Sequence, residues 1–351
     1  MIDEENLAKP CESTPNILLF KGHKAPVISL TTHPLEISLF ASGSEDCTVR
    51  LWDRRDKSAV KCFLGSNFPI SALTFDSKFP YNIYSIMNRN EVKIFDIRKD
   101  DVVDSFPVGS LNFDLSEDYE ANSLSIQSKD RYLAIADDSK LTVFDLTSKR
   151  SKIYTRLHTN VISKVLFKPN SVGEVASCGF DYLFNLWDYR TGRSKYTVDF
   201  SQNIPKRDLK LTNPPFVHDF TFLKNSKYIA CALGDGSISI LNSYDGSIIL
   251  NKELHKSMIS NIDSNFKNTI ITGGVDGNLQ INDLVEENLI HDDAGKSKIK
   301  TNRSTMNLNS KTMIHHKSKI NCIACSKIQS DVSFFLVADL SNDVSLIELS
   351  Q

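Results

Sequence analysis

No stretch of the 351 residues approaches the ~18 consecutive apolar residues that a membrane helix requires, so no helical membrane span is expected. Charge of one sign is also missing. The 41 Lys and Arg nearly balance the 43 Asp and Glu, and a formal net charge of −2 gives no global pull toward nucleic acid or a lipid surface. The opening segment "MIDEENLAKPCESTPN" is acidic and polar, which is the wrong composition for a signal or transit peptide. The seven cysteines are odd in number and lack framework spacing, which points to free thiols in a reducing compartment, cytoplasm or nucleus. Sequence phrases for chemistry are absent too: there is no HExxH, GxSxG or EF-hand. "GDGS" at 234–237 and "GGVDG" at 273–277 lack the strand, glycine loop and helix order that cradles phosphate. They read as tight turns. No catalytic, cofactor-binding or metal-ligating residue is nominated, and no enzyme is expected.

What the chain does contain is a repeated phrase. His23, Asp46 and Trp52-Asp53 recur as His158, Asp181 and Trp187-Asp188, with the same spacings and no gap between the two copies. Both tryptophans of the chain stand in this phrase. A third copy, His255, Asp276 and Asn282-Asp283, is two residues shorter in its first half and has lost the tryptophan. Weaker copies follow by spacing. Phe144-Asp145 lies after Asp138, and Asn242 after Asp235. Phe95-Asp96 ends a copy in which Arg89 replaces the turn aspartate. His316 and Asp339 precede "VSLIEL" across a turn read as about two residues longer. Each copy has short β-branched runs separated by polar and Gly/Asp/Asn turns, which predicts strands.

A period of about 40–45 residues with histidine early and Trp-Asp late resembles the WD40 repeat family. The resemblance implies an all-β, seven-bladed β-propeller over residues 16–351. "NILLF" at 16–20 is then the outer strand of the last blade, pairing with "VSLIEL" and removing an open edge. The family also implies a structural role for His23, Ser42, Asp46 and Trp52 in blade one and for His158, Ser177, Asp181 and Trp187 in blade four: a hydrogen-bonded chain within each blade. Ser-His-Asp on paper invites a hydrolase triad, but a catalytic site is not expected to recur blade after blade. Pro26, Pro69, Met258 and Lys319 each precede a first strand and are expected around the top face, as contacts for a partner.

Three third strands end in Asp-x-Arg: Asp53/Arg55, Asp96/Arg98 and Asp188/Arg190. Two such endings in consecutive blades resemble the double motif of WD40 substrate receptors for cullin-4 ubiquitin ligases. There, the arginines sit on the bottom rim and help dock the ligase's linker protein. The plainer alternative is that each arginine braces its own turn.

Other features are read against plain structural roles. Residues 1–15 are expected to be a disordered tail, 201–215 a surface loop, and 285–312 a charged mobile insertion. From Ala294 to Lys319 the chain carries seven Lys/Arg and no acid, five of them within that insertion. Cys322 and Cys325 form a lone CxxC whose odd offset in a strand points the thiols to opposite faces. His218 lies off the repeat register. The order of phrases around blades four to seven, with a basic insertion before the last blade, further resembles one group of WD repeat proteins regarded as ligase adaptor candidates. The leading expectation is a non-enzymatic protein-interaction scaffold, monomeric within a complex. Its sharper form is a cullin-4 substrate receptor. A nuclear subunit of a chromatin or ribosome-assembly complex and, third, a propeller hydrolase are the alternatives. Direct nucleic-acid binding is not expected, since the basic segment lacks aromatic residues for stacking.

Overall fold

The computed structural model describes residues 15–349, apart from 65–66, 88–90, 108–120, 128, 130, 156, 204–212, 224–225, 266, 290–302, 317 and 329–332. The expected tail over 1–14, Arg89 and most of the 201–215 connection lie outside these residues. The described helical content is a single 3-10 turn, Phe200–Asn203.

The chain forms seven antiparallel sheets of four strands each, in ring order. The inner strands are Val27–Thr32, Ile70–Phe75, Ala121–Gln127, Ile162–Phe167, Val217–Leu223, Ile259–Ser264 and Ile320–Cys325. Asn16–Phe20 pairs antiparallel with Val344–Leu349, from Asn16↔Glu348 to Phe20↔Val344, so the seventh blade is completed by the N-terminal strand. Phe20 is fully buried and meets Phe40 edge-on at 5.0 Å, which seals blade seven against blade one. The fold is a seven-bladed β-propeller.

A four-stranded sheet with apolar residues on both faces cannot stand alone in water, and stacking neighbours buries both faces at once. The core accordingly divides into clusters between consecutive blades. Val49, Phe63, Ile70 and Phe95 fill the seam of blades one and two; Phe184, Phe200, Phe220 and Leu241 fill that of four and five. Around the inner ring, a side-chain acceptor on one inner strand takes a backbone N–H of the next. Leu73 N–H donates to Ser29 Oγ (3.0 Å), Val165 N–H to Ser123 Oγ (3.1 Å), Ile262 N–H to Asp219 Oδ2 (3.2 Å) and Cys325 N–H to Asp263 Oδ2 (2.8 Å). These bonds satisfy buried donors that no strand ladder reaches.

Two sequence readings need correction. The insertion at 285–312 is not a loop at its two ends: Asn278–Leu289 and Arg303–His315 are paired strands, in register to Leu289↔Arg303. Blade six therefore carries a long hairpin arm. Its few apolar residues suffice because alternation is all a strand needs: Leu284 and Leu308 are buried against blade five. Tyr228 O–H donates to Glu286 (2.5 Å), Lys227 pairs with the same carboxylate (3.3 Å), and Lys252 Nζ donates to Leu308 O (2.8 Å). Low hydrophobic content thus misled where neighbours supplied the polar partners. In blade seven, Asp339 pairs across from Ile320, whereas in blade one Ser44 pairs across from Val27. The two extra residues therefore lie between the first and second strands, not in the turn after Asp339.

Candidate interaction surface

Each blade presents polar residues at both ends, and the two ends differ in chemistry. At the top, the second-to-third strand turns place Asp46, Asp181 and Asp276 inward, while Asp235 of blade five is exposed. The residue after each aspartate takes a left-handed conformation: Cys47 (φ 65°), Tyr182 (φ 68°), Gly236 (φ 87°) and Gly277 (φ 73°). Such turns favour Gly after Asp for steric reasons.

In blade one, Trp52 Nε1–H donates to Ser42 Oγ (2.7 Å), Ser42 lies 2.7 Å from His23 Nε2, and His23 Nδ1 lies 2.9 Å from Asp46. Nδ1 faces a carboxylate, which only accepts, so Nδ1 carries the ring proton and donates to Asp46; Nε2 can then accept from the Ser42 hydroxyl while Ser42 Oγ accepts from Trp52. The set is therefore consistent with a neutral histidine. Burial pushes His23 below its usual value of 6.5 despite the nearby Asp46. Burial alone would raise Asp46. Hydrogen bonds from Thr48, the Lys24 amide and His23 outweigh it and hold that carboxyl at about 2. Gly22 precedes His23 for a spatial reason: a Cβ there would stand 2.6 Å from the Arg50 guanidinium and 3.2 Å from the Trp52 ring.

Blade four repeats the set. Trp187 Nε1–H donates to Ser177 (2.9 Å), Ser177 lies 2.8 Å from His158 Nε2, and His158 Nδ1 stands 3.0 Å from Asp181. Blade six keeps His255 with Asp276 (3.2 Å) and uses Thr272 in place of serine (2.9 Å). Asn282, in the tryptophan position, is fully buried and neither end of its amide finds a partner among the described residues. Blade seven has a variant that spacing did not reveal. His316 meets Asp339 (3.2 Å), but its serine, Ser345, comes from the third strand rather than the second (3.3 Å). These sets are buried or nearly so, and their hydrogen-bond partners lie within their own blades.

Pro26, Pro69, Met258 and Lys319 each stand one residue before an inner strand. The first three are half-buried and Lys319 is exposed. Pro26 O and Met258 O accept the amides of Glu45 and Val275 from the top turns. Exposed apolar side chains of that rim include Leu64, Leu340 and Val275, which the sequence did not single out. His218 lies beside Phe180 and Phe216, with a buried Nδ1 that has no partner among the described residues. Cys322 and Cys325 pack into different clusters, and among the described residues no group of His, Cys, Asp or Glu has the arrangement to hold a metal.

At the bottom, the third-to-outer strand turns carry the Asp-x-Arg pairs. Arg55 turns back on Asp53: its amide and Nε meet Oδ1 at 2.9 and 3.0 Å and Nη2 meets Oδ2 at 2.6 Å. Arg98 does the same on Asp96, at 2.9, 2.9 and 2.7 Å. Arg190 is looser, with Nε 3.4 Å from Asp188. The Arg98 hydrogen bonds hold Asp96 at about 2, and those of Arg55 lower Asp53. The side chains of Arg55 and Arg98 nonetheless remain 75% and 59% exposed. Brace and docking anchor are therefore compatible: each fork is fixed along one edge and open along the other.

Comparison with known proteins agrees with the geometry. The family model described as WD domain, G-beta repeat, matches residues 14–53. The chain is 31% identical to the WD repeat-containing protein 53 homolog of Dictyostelium discoideum over 93% of both chains. It is 26% identical to the GATOR2 complex protein WDR24 of Danio rerio over 53% of this chain and 23% of that one. It is 23% identical to the ribosome biogenesis protein YTM1 of Candida albicans, over 56% of this chain and 48% of that protein.

Proposed function

Because this chain belongs to the WD40 repeat family, in the group of WD repeat-containing protein 53, we propose that it is a non-enzymatic scaffold that holds other proteins together, and that its bottom rim docks the linker protein of a cullin-4-type ubiquitin ligase. The observation that carries the reading is the pair of Asp-Arg forks on consecutive blades, Arg55 and Arg98. A guanidinium held bidentate by its own aspartate has already lost its rotamer freedom, so a partner that accepts its remaining N–H groups meets a smaller entropic cost. The buried His-Asp sets support the same reading, because their polar atoms are consumed within the blade and leave no nucleophile with a free base beside it.

The test is affinity purification with quantitative mass spectrometry of the wild type and of Arg55→Ala/Arg98→Ala. Recovery of cullin-4 and its linker with the wild type alone is the expected result. Equal recovery would discard the forks as the anchor while leaving the ligase bound; absence from both removes the ligase role and leaves the scaffold.

A second reading, a nuclear subunit in ribosome assembly, draws on the partial similarity to a ribosome biogenesis protein and on the basic half of the blade-six insertion. Deleting 290–302 tests it. Unchanged location and partners would end it.

A further inference from the structure

The exposed large apolar side chains include three from neighbouring loops of the bottom rim: Leu35 (65% exposed) in blade one, and Phe79 and Tyr81 (each 46%) in blade two. Each loop joins the first and second strands of its blade. His33, itself buried, ties the two loops together. Its Nδ1 accepts the amides of Leu35 (3.2 Å) and Glu36 (2.8 Å), and its ring stands edge-on to Phe75 at 4.9 Å. It also hydrogen-bonds the backbone of Pro80. Proline has no amide proton and Nδ1 is already occupied, so Nε2–H must donate to the Pro80 carbonyl.

The blade-two loop is fixed from both sides. Asp76, fully buried, accepts the amides of Lys78 (2.8 Å) and Phe79 (3.2 Å) through Oδ1. Arg131, reaching across from blade three, pairs with Asp76 and donates to Tyr84 Oη (2.9 Å). Cations cover the rings: Arg131 at 4.9 Å and Lys78 at 5.7 Å from the Phe79 centroid, and Arg98 at 4.2 Å from that of Tyr81. Arg98 belongs to the second fork. Leu35 is followed by Glu36, whose charge acts on Arg55 of the first.

We propose that the loops of Leu35 and of Phe79–Tyr81 form one preformed docking surface for a short segment of a partner protein whose apolar side chains are flanked by carboxylates. The inference rests on the reading of Arg55 and Arg98 as anchors and extends it to the apolar contacts. Burying exposed rings and a leucine supplies affinity, and the cations over those rings select a carboxylate beside the apolar side chain. Arginine and aromatic residues clustered together are the usual composition of an interface hot spot. His33 is a positioning residue: it touches no partner and fixes the spacing of the two loops.

The test pans a phage-displayed library of random peptides, about 12 residues long, against the full chain, and separately titrates the purified cullin-4 linker protein. Variants are Leu35→Asp, Phe79→Ala/Tyr81→Ala and, as a control on the opposite rim, Leu340→Ala. Leu35 is mostly solvated, so its replacement keeps the test valid if the aromatic pair proves necessary for folding. The expected result is a selected consensus of leucine or aromatic residues beside Asp or Glu, with binding weakened at least about 10-fold by Leu35→Asp and by the aromatic pair and unchanged by Leu340→Ala. No enrichment, or peptides indifferent to both bottom-rim changes, overturns the inference. Linker protein that binds Leu35→Asp and the aromatic variant as well as wild type, but not Arg55→Ala/Arg98→Ala, also overturns it while leaving the ligase role standing. Peptides bound at this surface with no linker protein bound sustain the inference and remove the ligase role.

Discussion

Blade one has an aspartate network at each end, and the two do opposite things with the same residue type. Asp46, at the top, is almost fully covered and takes hydrogen bonds from His23, Thr48 and the Lys24 amide. Asp53, at the bottom, holds one arginine that remains three-quarters exposed. Inside, the aspartate closes a network whose every member depends on the others. Outside, it fixes a cation where something else can reach it. A recurring polar residue in a repeat protein is therefore assigned by what surrounds it rather than by its recurrence.

The comparison is broken most severely by removing Asp46. Asp46→Ala leaves His23 Nδ1, the Lys24 and Thr48 amides and the Thr48 hydroxyl without that acceptor, and should cost about 2–4 kcal/mol in urea unfolding. Asp181→Ala should behave alike in blade four. A loss near that of a surface substitution would mean the networks are dispensable.

Acid attacks the same networks by a smaller step. His23, His33, His218 and His255 all have their pKa lowered by burial from the usual 6.5. Below pH 6.5 the unfolded chain binds protons that the folded chain refuses, so stability falls as pH drops through that value. Asp46, Asp181 and Asp276 are lowered as well, which adds a further loss below 3.8. The melting temperature should be level above pH 7 and decline between pH 6.5 and 5. A flat profile through that interval contradicts the neutral buried histidines.

Blade six sharpens the comparison from the other side. Its buried Asn282 amide has no partner among the described residues, so Asn282→Leu should raise stability by about 1 kcal/mol, readable as an upward shift in denaturant midpoint. A decrease would show that the amide is satisfied by a bound water.

How much of this was legible depended on what each feature requires of the sequence. The seven repeats could be read directly, because strand alternation and turn residues recur at fixed spacing; the propeller and its closure by 16–20 followed from the resemblance of those repeats to the WD40 family. Spacing also gathered His23 with Asp46 and His158 with Asp181. It could not show that Ser345 in blade seven serves from the third strand, since either of two facing strands can supply a hydroxyl. The hairpin arm of blade six was misread as a loop because its partners, Lys227, Tyr228 and Lys252, lie in another blade. The surface of Leu35, Phe79 and Tyr81 was missed for the same reason. Nothing local marks His33 as bonding Pro80, about one repeat further along the chain.

The smallest expected effect on stability is the most informative for function. Arg55→Ala/Arg98→Ala removes bonds made in water at the rim and should shift the melting temperature by less than about 2 °C. The decisive measurement is that melt taken beside a calorimetric titration of the purified linker protein into the same two proteins. An unshifted melt with binding weakened at least about 30-fold is the predicted result. A melting point lowered by many degrees with binding intact would make the forks turn braces and nothing more.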